Sequence, residues 1–148
     1  MEQIILVPVD LSAISGQVVD GAARLAERLG AKAVLLHVEP PDPAFVGYGV
    51  GPQTVREAVA RDIAKDDDRL HAFRDQMRQQ EIEVECLLIQ GPVVEKIIEQ
   101  SDQLDVDYIV IGSHGHGALY DLVVGSVCDG VVRRARRPVV VIPRHLQD

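Results

Sequence analysis

The sequence predicts an α/β fold in which helices cover both faces of an open, mostly parallel sheet of five strands. Short apolar runs rich in β-branched residues alternate along the chain with stretches whose apolar residues recur at helical spacing. Gly and Pro mark the short turns between them. Strands joined through helices imply βαβ units with right-handed crossovers, and 148 residues fit one domain, residues 1–148.

The five strands are predicted from apolar runs that end at turn residues. The first, residues 4–9, is nearly continuous in apolar character, as is typical of a strand covered on both faces. The other four are predicted at residues 33–38, 84–89, 107–111 and 138–142.

Four helices are predicted between these strands. Ser12 is the expected N-cap of the first helix, and Gly30 its C-terminal stop. The second, residues 54–80, is highly charged and carries a narrow apolar stripe, so residues 66–68 (Asp-Asp-Asp) are expected to be a solvated face. The others are predicted at residues 93–100 and 127–135, and residues 40–52 form one long irregular loop.

Composition excludes several functional classes. With Asp+Glu 23, Lys+Arg 15 and a sequence pI near 5.0, the chain should repel nucleic acids and anionic membranes. No basic region opens the chain, its first apolar run breaks at Pro8 and Asp10, and no stretch approaches a membrane span. Cys86 and Cys128 lack metal-ligand spacing and are expected to be small buried apolar residues. A reduced, cytoplasmic protein is predicted.

Residues 112–126 (GSHGHGALYDLVVGS) lie between the fourth strand and the last helix and carry the main functional signal. Gly112, Gly115 and Gly125 allow close backbone approach to an anion, and the N–H groups of Ser126 and Val127 open a helix, where peptide dipoles favour phosphate. The Lys of a P-loop is absent, and the dinucleotide pattern does not fit. The alternative is a loop whose glycines only satisfy turn geometry, but phosphate binding is favoured.

Other strand ends offer further candidates, because ligands of open α/β sheets bind beyond the carboxyl ends of the strands. Asp10 suits a ribose diol, or it simply caps the first helix. Val38 offers its backbone to an adenine edge, or it is an ordinary core valine. His37 is expected to be a structural histidine. His114 and His116 lack a clear third ligand, so no protein metal site is assigned.

The opening VPVD, the Gly-x2-Gly-x9-Gly-Ser loop and the closing PVVVIP resemble the universal stress protein family, in its ATP-binding branch. The resemblance implies a Rossmann-like fold of the adenine nucleotide alpha hydrolase type. We place Ser113 and His114 in the same site as the residues that match the family's ATP contacts. Those matching residues are Pro8, Val9, Asp10, Val38, Ile111, Gly112, Gly115, Gly125, Ser126 and Val127.

The resemblance also implies a homodimer in which the strand at residues 138–142 pairs with its partner's copy. This agrees with the cost of leaving an apolar edge strand unpaired. Two features depart from the family pattern. Leu11 replaces the usual Gly after Asp10 and is expected to narrow the space near a ribose. Residues 40–52 do not match the family pattern in length or sequence. Four arginines at residues 133, 134, 136 and 137 are expected to complement the dipole of the last helix.

The favoured hypothesis is a dimeric stress-response protein that binds ATP, ADP or AMP, with Mg²⁺ carried by the nucleotide, and senses it without rapid turnover. Asp10, His114 and His116 are the titratable candidates, and the sequence identifies no orienting partner for them. One alternative is a slow ATPase or nucleotidyl-transfer enzyme that uses these residues. Another is a nucleotide-free module that regulates a transporter or another protein partner.

Overall fold

The computed structural model describes residues 2–40, 53–113 and 124–144, with the side chains of residues 53–62 left aside. Strands and helices alternate along these ranges. The strands are β1 (Ile4–Pro8), β2 (Lys32–Glu39), β3 (Val84–Gln90), β4 (Tyr108–Gly112) and β5 (Val139–Ile142). The helices are α1 (Ser15–Leu29), α2 (Gln53–Arg78), α3 (Val93–Gln103) and α4 (Ser126–Arg134). The loop predicted at residues 40–52 lies, apart from Pro40, outside the described residues.

All five strands are parallel and lie in the order β3-β2-β1-β4-β5, which confirms the predicted sheet. The chain builds outward from β1 to β3, then returns to the other side of β1 and continues to β5. Strand order therefore reverses between β1 and β4, and a crevice forms at the carboxyl ends of these two strands. The strand β5 lies at one edge of the sheet, as predicted.

Two apolar cores cover the two faces of the sheet because successive strand residues point to opposite faces. Ala33 and Leu35 of β2 pack in the core beneath α1 and α2. Val34 and Leu36 of the same strand pack in the core beneath α3 and α4. Each helix thus buries one stripe, and β1 and β4, in the middle, are apolar on both faces.

The predicted N-cap at Ser12 is wrong, because α1 begins at Ser15 after Ile14 and has no side-chain cap. The Ser12 N–H instead donates to Asp10 Oδ1 at 3.0 Å, a local turn that postpones the helix. The stop at Gly30 is confirmed. This residue has φ +62° and its N–H reaches the carbonyls of Ala26 and Glu27.

Leu11 occupies an unusual backbone position that explains why glycine is favoured there. Its φ is +62°, in the left-handed region that side chains disfavour. The Leu11 side chain is 3% exposed and lies in the core shared by α1 and α2. The expectation that Leu11 narrows the space near a ribose is therefore wrong, because it is not among the described residues that line the cleft. Arg69 of α2 donates to the Leu11 carbonyl and holds this turn against the helix.

The arginines near the end of α4 have separate partners. Arg133 donates to both carboxylate oxygens of Asp129 one turn earlier, at 3.0 and 3.1 Å. Arg137 lies beyond the helix and donates to Asp105 at 2.8 Å and to the Val106 carbonyl at 3.3 Å. Arg137 therefore joins the entry of β5 to the turn before β4, whereas Arg133 and Arg134 lie in the last turn, where cations suit the dipole.

In the parts of the chain that the structure describes, none of the helices combines the length and the apolar composition that a membrane crossing requires.

Candidate functional site

A cleft of about 250 Å³ opens at the reversal point of the sheet, beyond the carboxyl ends of β1, β2 and β4. Ligand pockets usually enclose about 300–1,000 Å³, so the described walls already approach that range. The predicted site residues that line it are Pro8, Val9, Asp10, Val38, Ile111, Gly112, Ser113, Gly125, Ser126 and Val127. His114 and Gly115, also predicted, lie outside the described residues.

Sequence reasoning missed most of the apolar wall of the cleft. The additional lining residues are Ile14, Ser15, Val18, Leu36, His37, Pro40, Val93, Ile97 and Cys128. Four of them, Ser15, Val18, Val93 and Ile97, come from α1 and α3, whose periodicity predicts burial but not which buried residues lie at the strand ends. Only the sheet order, which no local pattern contains, brings these helices to one crevice.

Asp10 is fixed at the entrance of α1 by two hydrogen bonds. Its Oδ1 accepts from the Ser12 N–H at 3.0 Å and from Ser15 Oγ at 3.3 Å. The carboxylate therefore organises the turn into α1, as the capping alternative expected, although it caps through Ser12 and Ser15 and leaves the helix without a side-chain N-cap. It also lies exposed on the wall of the cleft. The two roles are compatible, because a carboxylate has about four acceptor positions.

Val38 presents its backbone to the cleft because β2 is longer than β1. The pairing of β1 with β2 ends at Pro8 opposite Leu36, and the Val9 N–H donates to the Leu36 carbonyl at 2.9 Å. Backbone groups on a parallel strand face its two neighbours alternately, and the Glu39 carbonyl faces β3 by accepting from the Gly91 N–H. The N–H and C=O of Val38 therefore point to the side where β1 has ended.

The amino end of α4 opens directly into the cleft. Gly125 is its N-cap, with an extended backbone and no side-chain cap. Its N–H donates to the Ser113 carbonyl at 2.7 Å, and the Ser113 N–H donates to the Ile142 carbonyl at 2.9 Å. These bonds hold the start of α4 beside the end of β4, so Ser126 and Val127, whose N–H groups have no acceptor within the helix, line the cleft.

Cys128 forms part of the floor of the cleft, next to the apolar Ile97. It is 3% exposed, and burial raises the pKa of its thiol, with a smaller contribution from Asp129. Cys128 is thus a neutral, apolar contact, as the sequence predicts, whereas Cys86 is only half-buried. Walls of this kind suit the flat apolar face of a ring, and polar groups remain at the strand ends.

Comparison with known proteins assigns the architecture to a family. The family model described as "Universal stress protein family" matches residues 1–143. The chain belongs to the universal stress protein family. The predicted fold and family membership are therefore both confirmed.

Sequence relatives of this universal stress protein are distant. Universal stress protein A homolog 1 of Coxiella burnetii is 29% identical over 144 residues, 93% of this chain and 94% of the relative. Universal stress protein MJ0577 of Methanocaldococcus jannaschii is 26% identical over 77 residues, and this match spans only 52% of the chain and 48% of the relative.

Solved structures agree over nearly the whole chain. The structure of MJ0577 has a TM-score of 0.82 at 20% identity and covers 99% of each chain. A universal stress protein of Archaeoglobus fulgidus, solved in complex with dAMP, has a TM-score of 0.69 at 22% identity, with 96% of this chain and 98% of that chain covered. These TM-scores show a shared fold, and at such low sequence identities they show the fold alone.

Behind the cleft, this universal stress protein has a second polar group that the sequence did not predict. His37 Nδ1 lies 2.8 Å from the Val9 carbonyl, and its Nε2 lies 3.0 Å from Glu39 Oε1 and 3.7 Å from Asp66 Oδ2. The structural hydrogen bond expected of His37 is present. The predicted solvated face is wrong for Asp66, whose side chain is 24% exposed, while Asp67 pairs with His71 on the outer side of α2.

Burial raises the pKa of Glu39 above its ordinary value, and the neighbouring Asp66 carboxyl raises it further. His37 opposes this by favouring the Glu39 carboxylate. Two acidic groups and one imidazole nitrogen therefore share a partly dehydrated space at the end of β2.

Proposed function

We propose that this universal stress protein binds an adenine nucleotide, ATP or ADP or AMP, in the cleft and acts in the cytoplasm as a dimeric nucleotide-responsive regulator. The proposal rests chiefly on one observation. Among the described residues, no side chain caps the amino end of α4, which faces the same cleft as Asp10 and the backbone of Val38.

The phosphate end of the nucleotide is assigned to Gly125, Ser126 and Val127. Backbone N–H groups at a helix start bind anions through direct donation and through the aligned dipole. Ser126 adds a hydroxyl donor. Within the described walls, neither Lys nor Arg lines the cleft, so Mg²⁺ carried by the nucleotide would neutralise a triphosphate.

The base and sugar are assigned to the other two strand ends. The Val38 N–H and C=O supply one donor and one acceptor, the pair that an adenine edge requires. Asp10, held by Ser12 and Ser15, supplies a rigid carboxylate for the ribose hydroxyls. Ile97 and Cys128 supply apolar surface for the ring. The dAMP complex of the A. fulgidus protein, which shares the fold, supports an adenine nucleotide as the ligand.

Binding without rapid turnover is the form of activity that the described residues favour. The titratable residues among the described lining are Asp10, His37 and Cys128. His37 is bonded on both ring nitrogens, and the raised pKa of Cys128 keeps it a neutral thiol. A general base for water attack requires an available acceptor beside the phosphates, and these residues are otherwise engaged or lie at the sugar end.

The dimer is assigned to β5, the edge strand. Val141 on β5 is 40% exposed, and β5 has a partner strand on one side only in the described sheet, so this edge presents an apolar side chain and unpaired strand backbone. Pairing with a second copy would satisfy both. A Val141→Lys variant should shift the mass measured by light scattering from dimer to monomer. A wild-type protein that is monomeric at high concentration would refute the assignment.

Nucleotide binding is tested by calorimetric titration of ATP and Mg²⁺ into the wild type and two variants. Ser126→Ala removes one donor to a charged group, which is worth about 1.5–3 kcal/mol, so the Kd should rise roughly 10-fold or more. Ser126→Asp places a carboxylate where the phosphates would bind. A carboxylate also stabilises a helix start by about 0.3–1 kcal/mol, so this variant should lose binding while its melting temperature holds or rises.

Gln79→Glu is the matched charge control. Gln79 is exposed beyond the end of α2, where the chain leads into the amino end of β3, and it is not among the residues that line the cleft at the carboxyl ends of the strands. This variant should bind ATP like the wild type. Equal affinity in Ser126→Asp and Gln79→Glu would overturn the phosphate assignment, and no ATP binding by the folded wild type would overturn the proposed function.

A further inference from the structure

We propose that His37, Glu39 and Asp66 form a binding site for a divalent transition-metal ion at the junction of β2 and α2. This departs from the sequence-based expectation, which assigned no protein metal site. The proposal does not rest on nucleotide binding, although His37 also lines the cleft.

The spacing of the ligand atoms suits a metal ion. His37 Nε2, a Glu39 oxygen and an Asp66 oxygen all lie within 4.8 Å of one another. Bonds of about 2.0–2.2 Å to a tetrahedral zinc ion place neighbouring ligand atoms about 3.4 Å apart. The distances from Nε2 to the two oxygens, 3.0 and 3.7 Å, bracket this value. Small rotations of two carboxylate groups would therefore complete three sides of a site.

The orientation of the imidazole also suits a metal ligand. A carbonyl oxygen can only accept, so Val9 O requires a hydrogen on His37 Nδ1, and a proton that Nε2 shares with Glu39 would be released when a metal ion binds. Nε2 is thereby directed at the two carboxyl groups. Histidines that ligate metals commonly have this arrangement, in which one ring nitrogen is held by a backbone carbonyl and the other faces the ion.

The charge and burial of the group favour a bound cation. The side chains of His37, Glu39 and Asp66 are 7%, 22% and 24% exposed, so water screens the two carboxylates only partly. A divalent cation balances two carboxylates, and a mixed nitrogen and oxygen set suits zinc and its neighbours in the first transition row. Arg69, the adjacent cation on α2, donates instead to the Leu11 carbonyl.

The fold explains how these residues meet. His37 and Glu39 are two positions apart on β2, so both point to the sheet face that α2 covers. Asp66 lies one helical turn before Leu70, which is fully buried on the same side of α2. A bound ion would therefore cross-link a strand and a helix that are distant in sequence, and should raise the melting temperature.

The test uses zinc alone, without nucleotide, on the full chain. Equilibrium dialysis counts zinc equivalents bound by the wild type and by His37→Gln and Asp66→Asn, with folding checked by circular dichroism. Loss of an outer partner of a metal ligand costs 10–100-fold in affinity, so loss of a direct ligand should cost at least about that much. Each variant should therefore lose one bound equivalent, and zinc should no longer raise its melting temperature.

Two variants on α2 are matched controls. His71→Gln and Asp67→Asn remove a neighbouring histidine and a neighbouring aspartate that pair with each other at 3.4 Å on the outer side of the helix. Both should keep the full zinc count, which separates this group from any other histidine or cysteine in the chain. A zinc count equal in all variants, an equal loss in the controls, or no zinc bound by the wild type would overturn the proposal.

Discussion

Leu11 allows the cost of a left-handed backbone to be measured against the value of a buried side chain. A left-handed conformation costs a non-glycine residue about 1–2 kcal/mol. Replacing Leu11 by Gly removes this strain but returns about 0.4–1 kcal/mol of chain entropy to the unfolded state. It also removes a side chain that is 3% exposed, and Leu→Ala changes in cores cost about 2–5 kcal/mol. Leu11→Gly should therefore be less stable than the wild type.

The sharper prediction compares Leu11→Gly with Leu11→Ala. Both lose the leucine, but alanine keeps the strain, so the glycine variant should be more stable by about 1 kcal/mol. Within a helix, glycine is normally less stabilising than alanine, so Ala64→Gly on the exposed side of α2 should lower the free energy of unfolding by about 1 kcal/mol. Urea denaturation followed by circular dichroism measures the free energy of unfolding of all three variants.

Gly30→Ala supplies the calibration in the same protein. Gly30 also has φ +62°, and an added Cβ would meet nothing within 4 Å. The stability that Gly30→Ala loses therefore measures only the cost of a left-handed backbone in a residue with a side chain. The gap between Leu11→Gly and Leu11→Ala should equal that loss. If Leu11→Ala proved as stable as Leu11→Gly while Gly30→Ala lost about 1 kcal/mol, the reasoning about Leu11 would be refuted.

Three further predictions follow from the cleft and the helix packing. Because burial raises the pKa of Cys128, its rate of alkylation should still be rising at about pH 9, past the ordinary thiol pKa of about 8.5. Saturating ATP should slow the alkylation of Cys128 but not that of Cys86, and peptide mapping distinguishes the two. Asp10→Asn keeps an oxygen for the Ser12 N–H but loses the charge, so calorimetry should give ATP a roughly 10-fold higher Kd; an unchanged Kd would exclude Asp10 from the ribose site. Gly130→Ala should lower the free energy of unfolding by about 1 kcal/mol, because the added Cβ would lie 2.9 Å from the stiff Val94 side chain. Gly21→Ala should be neutral or stabilising, because its Cβ would meet the flexible end of the Ile142 side chain. Equal free energies of unfolding in the two variants would contradict this.

The individual strands and helices were predictable because their determinants are local. Apolar runs such as residues 4–9 indicate strands buried on both faces, and Gly30 ends α1 where the periodicity stops. The missed cap at Ser12 shows the limit of that reasoning. A serine before an apolar stretch predicts an N-cap, but among the described residues the buried Ser12 Oγ has no hydrogen-bond partner, and the helix begins three residues later.

The polar half of the site was predictable for a similar reason. Gly125, Ser126 and Asp10 each lie at the junction of a predicted strand or helix with its turn, and parallel strands bring such junctions to one edge. The apolar half was not. Ile97 and Cys128 look like any other buried residues in their helices, and only the reversal of strand order between β1 and β4 brings them to the cleft.

Asp66 marks the point at which sequence patterns stop carrying information. In the run at residues 66–68, three identical side chains have three different surroundings. Asp66 faces His37 and Glu39, Asp67 pairs with His71, and Asp68 is exposed. Composition predicts one surrounding for all three, a charged helix surface, whereas the rotation of α2 on the sheet places each in a different surrounding. That rotation is set by Leu70 and Met77, which are fully buried against the sheet. The apolar contacts of α2 therefore decide which carboxylate reaches the histidine.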